Sequence, residues 1–138
     1  MPITDIKNWL HGKAAPTTGV AIGASGDEYS EDELDFETAY PGFAKGGADV
    51  GLHMVINESF NTLTSVMLTV AHGAATAPTT VLVSRYFVLA DLVAGKHYYV
   101  PMPPSVLRYV RALFDLTGSN PTTGKVCMWI GPRTGGEL

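Results

Sequence analysis

The fold of this chain is decided by residues 107–130, which read LRYVRALFDLTGSNPTTGKVCMWI. In the first ten of them, four apolar side chains share one face: Val110, Ala112, Phe114 and Leu116. This period of two is typical of a half-buried antiparallel strand. The apolar run 125–130 predicts a second strand, and the Gly, Asn and Pro residues between the runs predict a chain reversal. We therefore expect a β-hairpin here.

The same loop superficially matches a phosphate-binding P-loop, because Gly118 and Gly124-Lys125 enclose it. A P-loop has four residues between its glycines, a Ser or Thr after the Lys, and a helix behind it. Here five residues separate the glycines, Val126 follows Lys125, and a β-branched and aromatic run comes next. The segment therefore predicts a turn between strands and no nucleotide site.

Length and composition indicate one β domain. A chain of 138 residues suits a single core. Its 15 glycines and 9 prolines, many of them close to short apolar runs, are typical of strands joined by turns. About seven or eight such runs follow at intervals of roughly eight to twelve residues. We predict an all-β, single-domain, jelly-roll-like antiparallel β-sandwich.

The N-terminal third has a different character. Residues 1–45 hold eight acids against three lysines, a balance of −5, while residues 46–138 have a balance of +1. Seven of the acids fall within residues 27–37. We predict an irregular acidic N-terminal arm or edge segment over 1–45 and the sandwich core over 46–138. The acidic run repels nucleic acid, so it is either a solvated segment or a contact surface for a basic partner.

Cysteine content and hydropathy suggest a cytoplasmic site of synthesis. Cys127 is the single cysteine, so no internal disulfide forms, and we expect its side chain to pack in the core. The N-terminus has no apolar stretch typical of a signal peptide, and nowhere do about 18 apolar residues run together. We expect no membrane partner.

Residues capable of catalysis are scattered. The histidines, His11, His53, His72 and His97, lie far apart, and the His-x-His pair of most cupin metal sites is missing. A sandwich still allows His53 and His97 to meet, which leaves a cupin-like metalloenzyme as one alternative. The sequence has no nucleophile elbow, and the neighbours of Cys127 are apolar. We expect a protein that is not an enzyme, with no catalytic residue, cofactor or metal.

Aromatic residues suggest a second alternative, a carbohydrate-binding module. Such sandwiches bind sugars on exposed rings, and the candidates are Tyr98, Tyr99, Tyr109 and Trp129. Because side chains alternate along a strand, one of Tyr98 and Tyr99 is expected to face water.

Three segments resemble the jelly-roll capsid cement, or decoration, proteins of tailed bacteriophages. They are Tyr98-Tyr99-Val100-Pro101-Met102-Pro103-Pro104, Leu107-Arg108-Tyr109-Val110-Arg111 and Gly118-Ser119-Asn120-Pro121-Thr122-Thr123-Gly124-Lys125-Val126. In that family, a strand ending in a proline-rich turn precedes an Arg-Tyr strand and a Gly-x-Asn-Pro-Thr-x-Gly-Lys-Val loop. The resemblance covers roughly residues 50–131.

The resemblance implies a structural virion protein. It would bind the outside of an icosahedral phage head, bridge subunits of the major capsid protein and stabilise the shell against the pressure of packaged DNA. Its partners would be the major capsid protein and further copies of itself, with a homodimer favoured over a homotrimer. The protein would be made in the bacterial host cytoplasm, and it would contact neither nucleic acid nor membrane.

Overall fold

The computed structural model describes residues 9–12, 17–22, 27–37, 50–103 and 105–138. These residues contain no α-helix; their regular structure is ten strands and one 3₁₀ turn at Leu89–Asp91. The strands are β1 (Trp9–His11), β2 (Val20–Ala21), β3 (Asp27–Tyr29), β4 (Leu34–Asp35), β5 (Val50–Glu58), β6 (Leu63–Gly73), β7 (Thr80–Val88), β8 (His97–Pro101), β9 (Tyr109–Gly118) and β10 (Lys125–Pro132).

The strands form two antiparallel sheets. Sheet A has the order β1-β10-β5-β8, with β2 also beside β10, and sheet B has the order β3-β9-β6-β7, with β4 also beside β9. The chain crosses between the sheets repeatedly, and neighbours within a sheet are mostly distant in sequence. The all-β sandwich predicted from the sequence is confirmed, and this strand order is compatible with a jelly roll.

The core lies between the sheets, where alternate residues of the long strands are buried. Two ring contacts join the sheets near opposite sides of the sandwich. His11 of β1 packs edge-on against Phe114 of β9 at 5.5 Å between ring centroids. Tyr98 of β8 packs edge-on against Phe87 of β7 at 4.7 Å.

The hairpin predicted for residues 107–130 is wrong, although both of its strands are present. Strand β9 lies in sheet B beside β6, and β10 lies in sheet A beside β5. Each strand has one fully apolar face, and the two faces are buried from opposite sides of the same core. The intervening loop therefore carries the chain across the roughly 10 Å between packed sheets.

The described parts of residues 1–45 are edge elements of the sandwich. Strands β1 and β2 pair with β10, and β3 and β4 pair with β9. Leu10, Ile22 and Leu34 are buried in the common core. The rest of residues 1–45 lies outside the described residues.

The loop between β9 and β10 is bound to the neighbouring crossover, which joins β5 to β6. Asn61 Oδ1 accepts the backbone N–H groups of Thr122 at 2.8 Å and Thr123 at 3.1 Å. Its amide nitrogen donates to Thr122 Oγ1 at 2.7 Å, and Thr62 Oγ1 donates to the carbonyl of Asn120 at 2.8 Å. Two adjacent sheet-to-sheet crossings are therefore held together by side-chain hydrogen bonds.

Both glycines that frame this loop are required by its conformation. Gly118 has φ 96° and Gly124 has φ 132°, values that favour glycine. A Cβ atom on Gly124 would lie 2.4 Å from the ring of Phe60. Lys125 begins a strand and not the helix that follows the Lys of a P-loop. This agrees with the predicted turn between two strands.

We expect Gly124→Ala to lower the free energy of unfolding by about 2–4 kcal/mol, because it combines backbone strain with overpacking against Phe60. Gly95→Ala is the matched control, since Gly95 also has a positive φ (93°) but a Cβ atom added to it would have no neighbour within 4 Å. Chemical denaturation of both variants measures the difference. Equal losses in the two variants would contradict the packing role of Gly124.

We expect Phe114→Asp to abolish folding or to cost several kcal/mol, because it buries an unpaired charge in the core. Phe114 is fully buried, whereas Thr117 on the same strand is exposed. Thr117→Asp should therefore melt within a few degrees of the wild type. Circular dichroism melting curves test both, and a wild-type curve for Phe114→Asp would contradict the observed strand register.

Candidate functional site: an aromatic row on sheet A

A row of four rings crosses the outer face of sheet A, one from each of its four main strands. The register pairs Trp9 with Trp129, Trp129 with His53, and His53 with Tyr99. Successive ring centroids are 5.1, 5.2 and 5.1 Å apart. These residues alternate with core residues of the same strands, so the row faces away from sheet B. We call these four residues the aromatic row.

The rings of the aromatic row pack against one another. Trp129 stacks between Trp9, at an interplanar angle of 26°, and His53, at 3°. Tyr99 meets the other side of His53 edge-on. Trp129 is half-buried and the other three are buried. The row therefore presents no open ring face of the kind that stacks on a sugar.

His53 contacts a second histidine beside the row. Its Nδ1 lies 2.9 Å from Nε2 of His97, so the meeting that the sequence left open does occur. The Nε2 of His53 lies 3.2 Å from the carbonyl of Gly131 and 3.0 Å from that of Pro132. Carbonyls only accept, so Nε2 of His53 donates to them. Burial lowers the pKa of His97, which favours its neutral form.

Glu137 completes this cluster from the C-terminal segment. Its carboxylate accepts hydrogen bonds from Thr134 N at 2.9 Å, Thr134 Oγ1 at 2.7 Å and Gly136 N at 2.8 Å. Burial opposes ionisation, but these hydrogen bonds outweigh it and lower the pKa of Glu137 to about 2. Oε2 lies 3.9 Å from His53 Nδ1. The carboxylate thus anchors the loop that covers the histidines.

The C-terminal segment, residues 133–138, covers the β8 end of the row. The guanidinium of Arg133 lies 5.3 Å from the ring centroid of Tyr99. Leu138 donates its backbone N–H to the carbonyl of His97 at 2.8 Å. Arg85 reaches the carbonyls of Tyr99, at 3.0 Å, and of Leu138, at 2.8 Å. Strand β8 is therefore tied to β7 and to the end of the described chain.

The tyrosine prediction is wrong, because neither Tyr98 nor Tyr99 faces water. Tyr98 is in the core, and its hydroxyl donates to the carbonyl of Asp91 at 2.6 Å. Tyr99 is on the outer face, but the C-terminal segment covers it. Tyr109 is half-buried, with the guanidinium of Arg108 4.9 Å from its ring centroid. The candidate sugar-binding rings are thus occupied by contacts within the protein.

The metal-centre alternative depends on where the four histidines lie. The described residues contain no group of three or more His, Cys, Asp or Glu that could hold a metal ion. His11 and His72 bind backbone instead: Nδ1 of His11 accepts from Glu31 N at 3.3 Å, and Nδ1 of His72 accepts from Leu107 N at 3.1 Å. Cys127 is buried as predicted, and burial raises the pKa of its thiol.

Described carboxylates of the acidic segment tie it to the sandwich, a role that the sequence did not indicate. Glu31 accepts from the backbone N–H of Gly12 at 2.9 Å, and Glu33 accepts from that of Ala77 at 2.8 Å. Asp35 forms a two-point ion pair with Arg108, which lowers the pKa of Asp35. These side chains remain exposed. The segment is therefore held in place and keeps an acidic surface.

We expect Glu137→Gln to lower the free energy of unfolding by about 2 kcal/mol at pH 7, the order of a few charge-assisted hydrogen bonds. The pKa of Glu137 is about 2 in the folded protein and ordinarily 4.5. The stabilisation is therefore complete above pH 4.5 and lost as the pH falls towards 2.

Melting curves of wild type and variant across this range should converge in acid. The control is Glu33→Gln, an exposed carboxylate with one backbone hydrogen bond, which should follow the wild type throughout. A difference in melting temperature between Glu137→Gln and the wild type that stays constant as the pH falls towards 2 would refute the role of the charge.

Comparison with known proteins identifies a family. No curated protein matches the chain in sequence. Within the described residues, no helix is long and apolar enough to cross a membrane. The family model described as Bbp16 matches residues 17–130, which is more than four-fifths of the 138 residues. This chain belongs to the Bbp16 family.

Proposed function

We propose that this protein is a capsid decoration protein, which binds the outside of an icosahedral phage head and bridges subunits of the major capsid protein. The observation that carries the proposal is the crossover loop 119–124, which is hydrogen-bonded to its neighbour. It is the most specific part of the resemblance to phage cement proteins, and Asn61 binds it to the adjacent crossover. A sandwich stiffened at its sheet-to-sheet connections suits a protein that must resist deformation of a shell.

Side-chain chemistry also supports a structural role rather than an enzymatic one. In the described part of the chain, the four imidazoles and the carboxylates of Glu31, Glu33 and Asp35 bind backbone groups, Arg108 or each other. The thiol of Cys127 is buried, and burial raises its pKa, which disfavours the nucleophilic thiolate. These groups hold parts of the sandwich to one another.

The proposed mechanism is multivalent binding. An oligomer that touches several shell subunits gains from effective concentration, so each contact can be weak. Ligands that bind only the assembled shell lower its free energy by mass action, and many copies add up. The exposed acidic surface of residues 31–37 favours a basic patch on the capsid protein over contact with nucleic acid. The site of action is the outer capsid surface, after synthesis in the host cytoplasm.

The test is the thermal stability of DNA-filled heads that lack this protein. We expect added protein to bind to saturation, at a fixed ratio to the capsid protein, and to raise the temperature at which DNA is released. Phe114→Asp protein serves as the control for non-specific effects, because it should not fold. Absence of saturable binding, or binding with no change in the release temperature, would reject the proposal.

A further inference from the structure

Two imidazoles lie side by side under the C-terminal segment, residues 133–138. His53 is 1% exposed and His97 is half-buried. Nδ1 of His53 lies 2.9 Å from Nε2 of His97. The segment reaches both residues, because Oε2 of Glu137 lies 3.9 Å from Nδ1 of His53 and Leu138 donates its backbone N–H to the carbonyl of His97. We call His53 and His97 the histidine pair.

The contact between the two imidazoles has room for one proton. Nε2 of His53 donates to the carbonyls of Gly131 and Pro132, so its proton is already committed. Nδ1 of His53 and Nε2 of His97 form a hydrogen bond only if one nitrogen donates and the other accepts with its lone pair. If both imidazoles were charged, both nitrogens would carry protons. The closed histidine pair therefore accommodates at most one positive charge.

Charges around the histidine pair oppose a second positive charge. Charged and titratable groups face or flank the pair from the C-terminal segment, β7 and β8, and they are Glu137, Arg133, Arg85, Lys96 and Tyr99. Three of these groups are bases and one is a carboxylate. The carboxylate compensates a first imidazolium and leaves a second one uncompensated.

Proton uptake by the histidine pair depends on whether the segment is attached. Burial and, to a smaller extent, His53 lower the pKa of His97 below its ordinary 6.5, and Glu137 partly opposes them. Detachment exposes His97 and restores its ordinary pKa, so the detached state binds more protons. Attachment is therefore firmest above pH 6.5 and weakens as the pH falls below that value. The carboxyl group of Glu137, with an ordinary pKa of 4.5, stays ionised above pH 4.5 in both states.

Detachment of the segment is a local event. Leu138 holds the segment to the sheets by donating to the carbonyl of His97 and by accepting from Arg85 at 2.8 Å. The hydrogen bonds that Glu137 accepts from Thr134 and Gly136 lie within the segment itself. The histidine pair, in contrast, is fixed by the ladder between β5 and β8. The segment can therefore leave while the strands stay paired.

We propose that the histidine pair is a proton-sensitive latch for the C-terminal segment. In the closed state, the two imidazoles share one proton across their contact, and Glu137 faces them. Mild acid populates a minor open state in which both imidazoles are charged, the segment is detached and the sandwich stays folded. Both states belong to the free chain, so the inference goes beyond the proposed function and does not depend on it.

The experiment is amide hydrogen exchange of the full chain, followed by NMR from above pH 6.5 down to pH 4.5. After correction for the intrinsic exchange rate, the protection of the Leu138 amide should fall by up to about tenfold per pH unit, because the open state binds one more proton. Amides in the centre of β6 and β9 should keep their protection. Constant protection of Leu138 overturns the inference. A loss that all strands share overturns it too, since that loss is global unfolding.

Nitrogen NMR of the imidazoles follows the protons directly and needs no variant. While the Leu138 amide remains protected, the histidine pair should take up at most one proton above pH 4.5. Full protonation of both His53 and His97 with Leu138 still protected would overturn the inference, because the closed contact would then tolerate two charges.

His97→Gln removes the second charge and keeps a donor. The Gln side-chain amide can donate to Nδ1 of His53 but takes up no proton, so the protection of Leu138 should no longer fall between pH 6.5 and pH 4.5. Wild-type pH dependence in this variant overturns the inference. If the variant does not fold, the two wild-type measurements decide.

The matched control is His72→Gln. His72 is also half-buried, and burial lowers its pKa, but it lies on β6 and accepts from the backbone N–H of Leu107. The Gln side-chain oxygen can accept the same hydrogen bond. This variant should keep the wild-type pH dependence of Leu138 protection, and loss of that dependence would overturn the assignment to the histidine pair.

Discussion

Each sheet of this protein has an apolar face that the opposite sheet covers, and the rest of the architecture follows from that mutual burial. The contacts between His11 and Phe114 and between Tyr98 and Phe87 join the sheets near both sides. Several pairs of consecutive long strands belong to different sheets, so the chain must cross repeatedly from one sheet to the other. These crossings require particular residues: Asn61 binds one crossing to the next, and the conformation at Gly124 leaves no room for a side chain.

The long strands could be predicted from the sequence because each is long enough to show a period of two. Val110, Ala112 and Phe114 are buried as that period indicates. The pattern identifies the buried face of a strand but not the sheet to which the strand belongs. A turn-rich loop serves a hairpin and a sheet crossing equally well, which is why the pairing of β9 with β10 was wrong. Strands of two or three residues, such as β2, are too short to show any period.

The candidate site was predicted less well, because it depends on contacts between distant segments. His53 and His97 are 44 positions apart and meet only because β5 and β8 are neighbours. The prediction for Tyr99 failed because the segment that covers it, residues 133–138, has no regular pattern in the sequence. Acidic residues were interpreted as a group, whereas Glu31, Glu33 and Asp35 each have a separate partner.

The aromatic row also determines what tryptophan fluorescence measures in this protein. The chain has two tryptophans, Trp9 and Trp129, and they stack on each other at 5.1 Å. Intrinsic tryptophan fluorescence therefore arises from one spot, where β1 meets β10. Detachment of the first strand would change the whole tryptophan signal while most of the sandwich stayed folded. An unfolding curve followed by tryptophan emission consequently reports on the junction of β1 and β10 rather than on the sandwich as a whole.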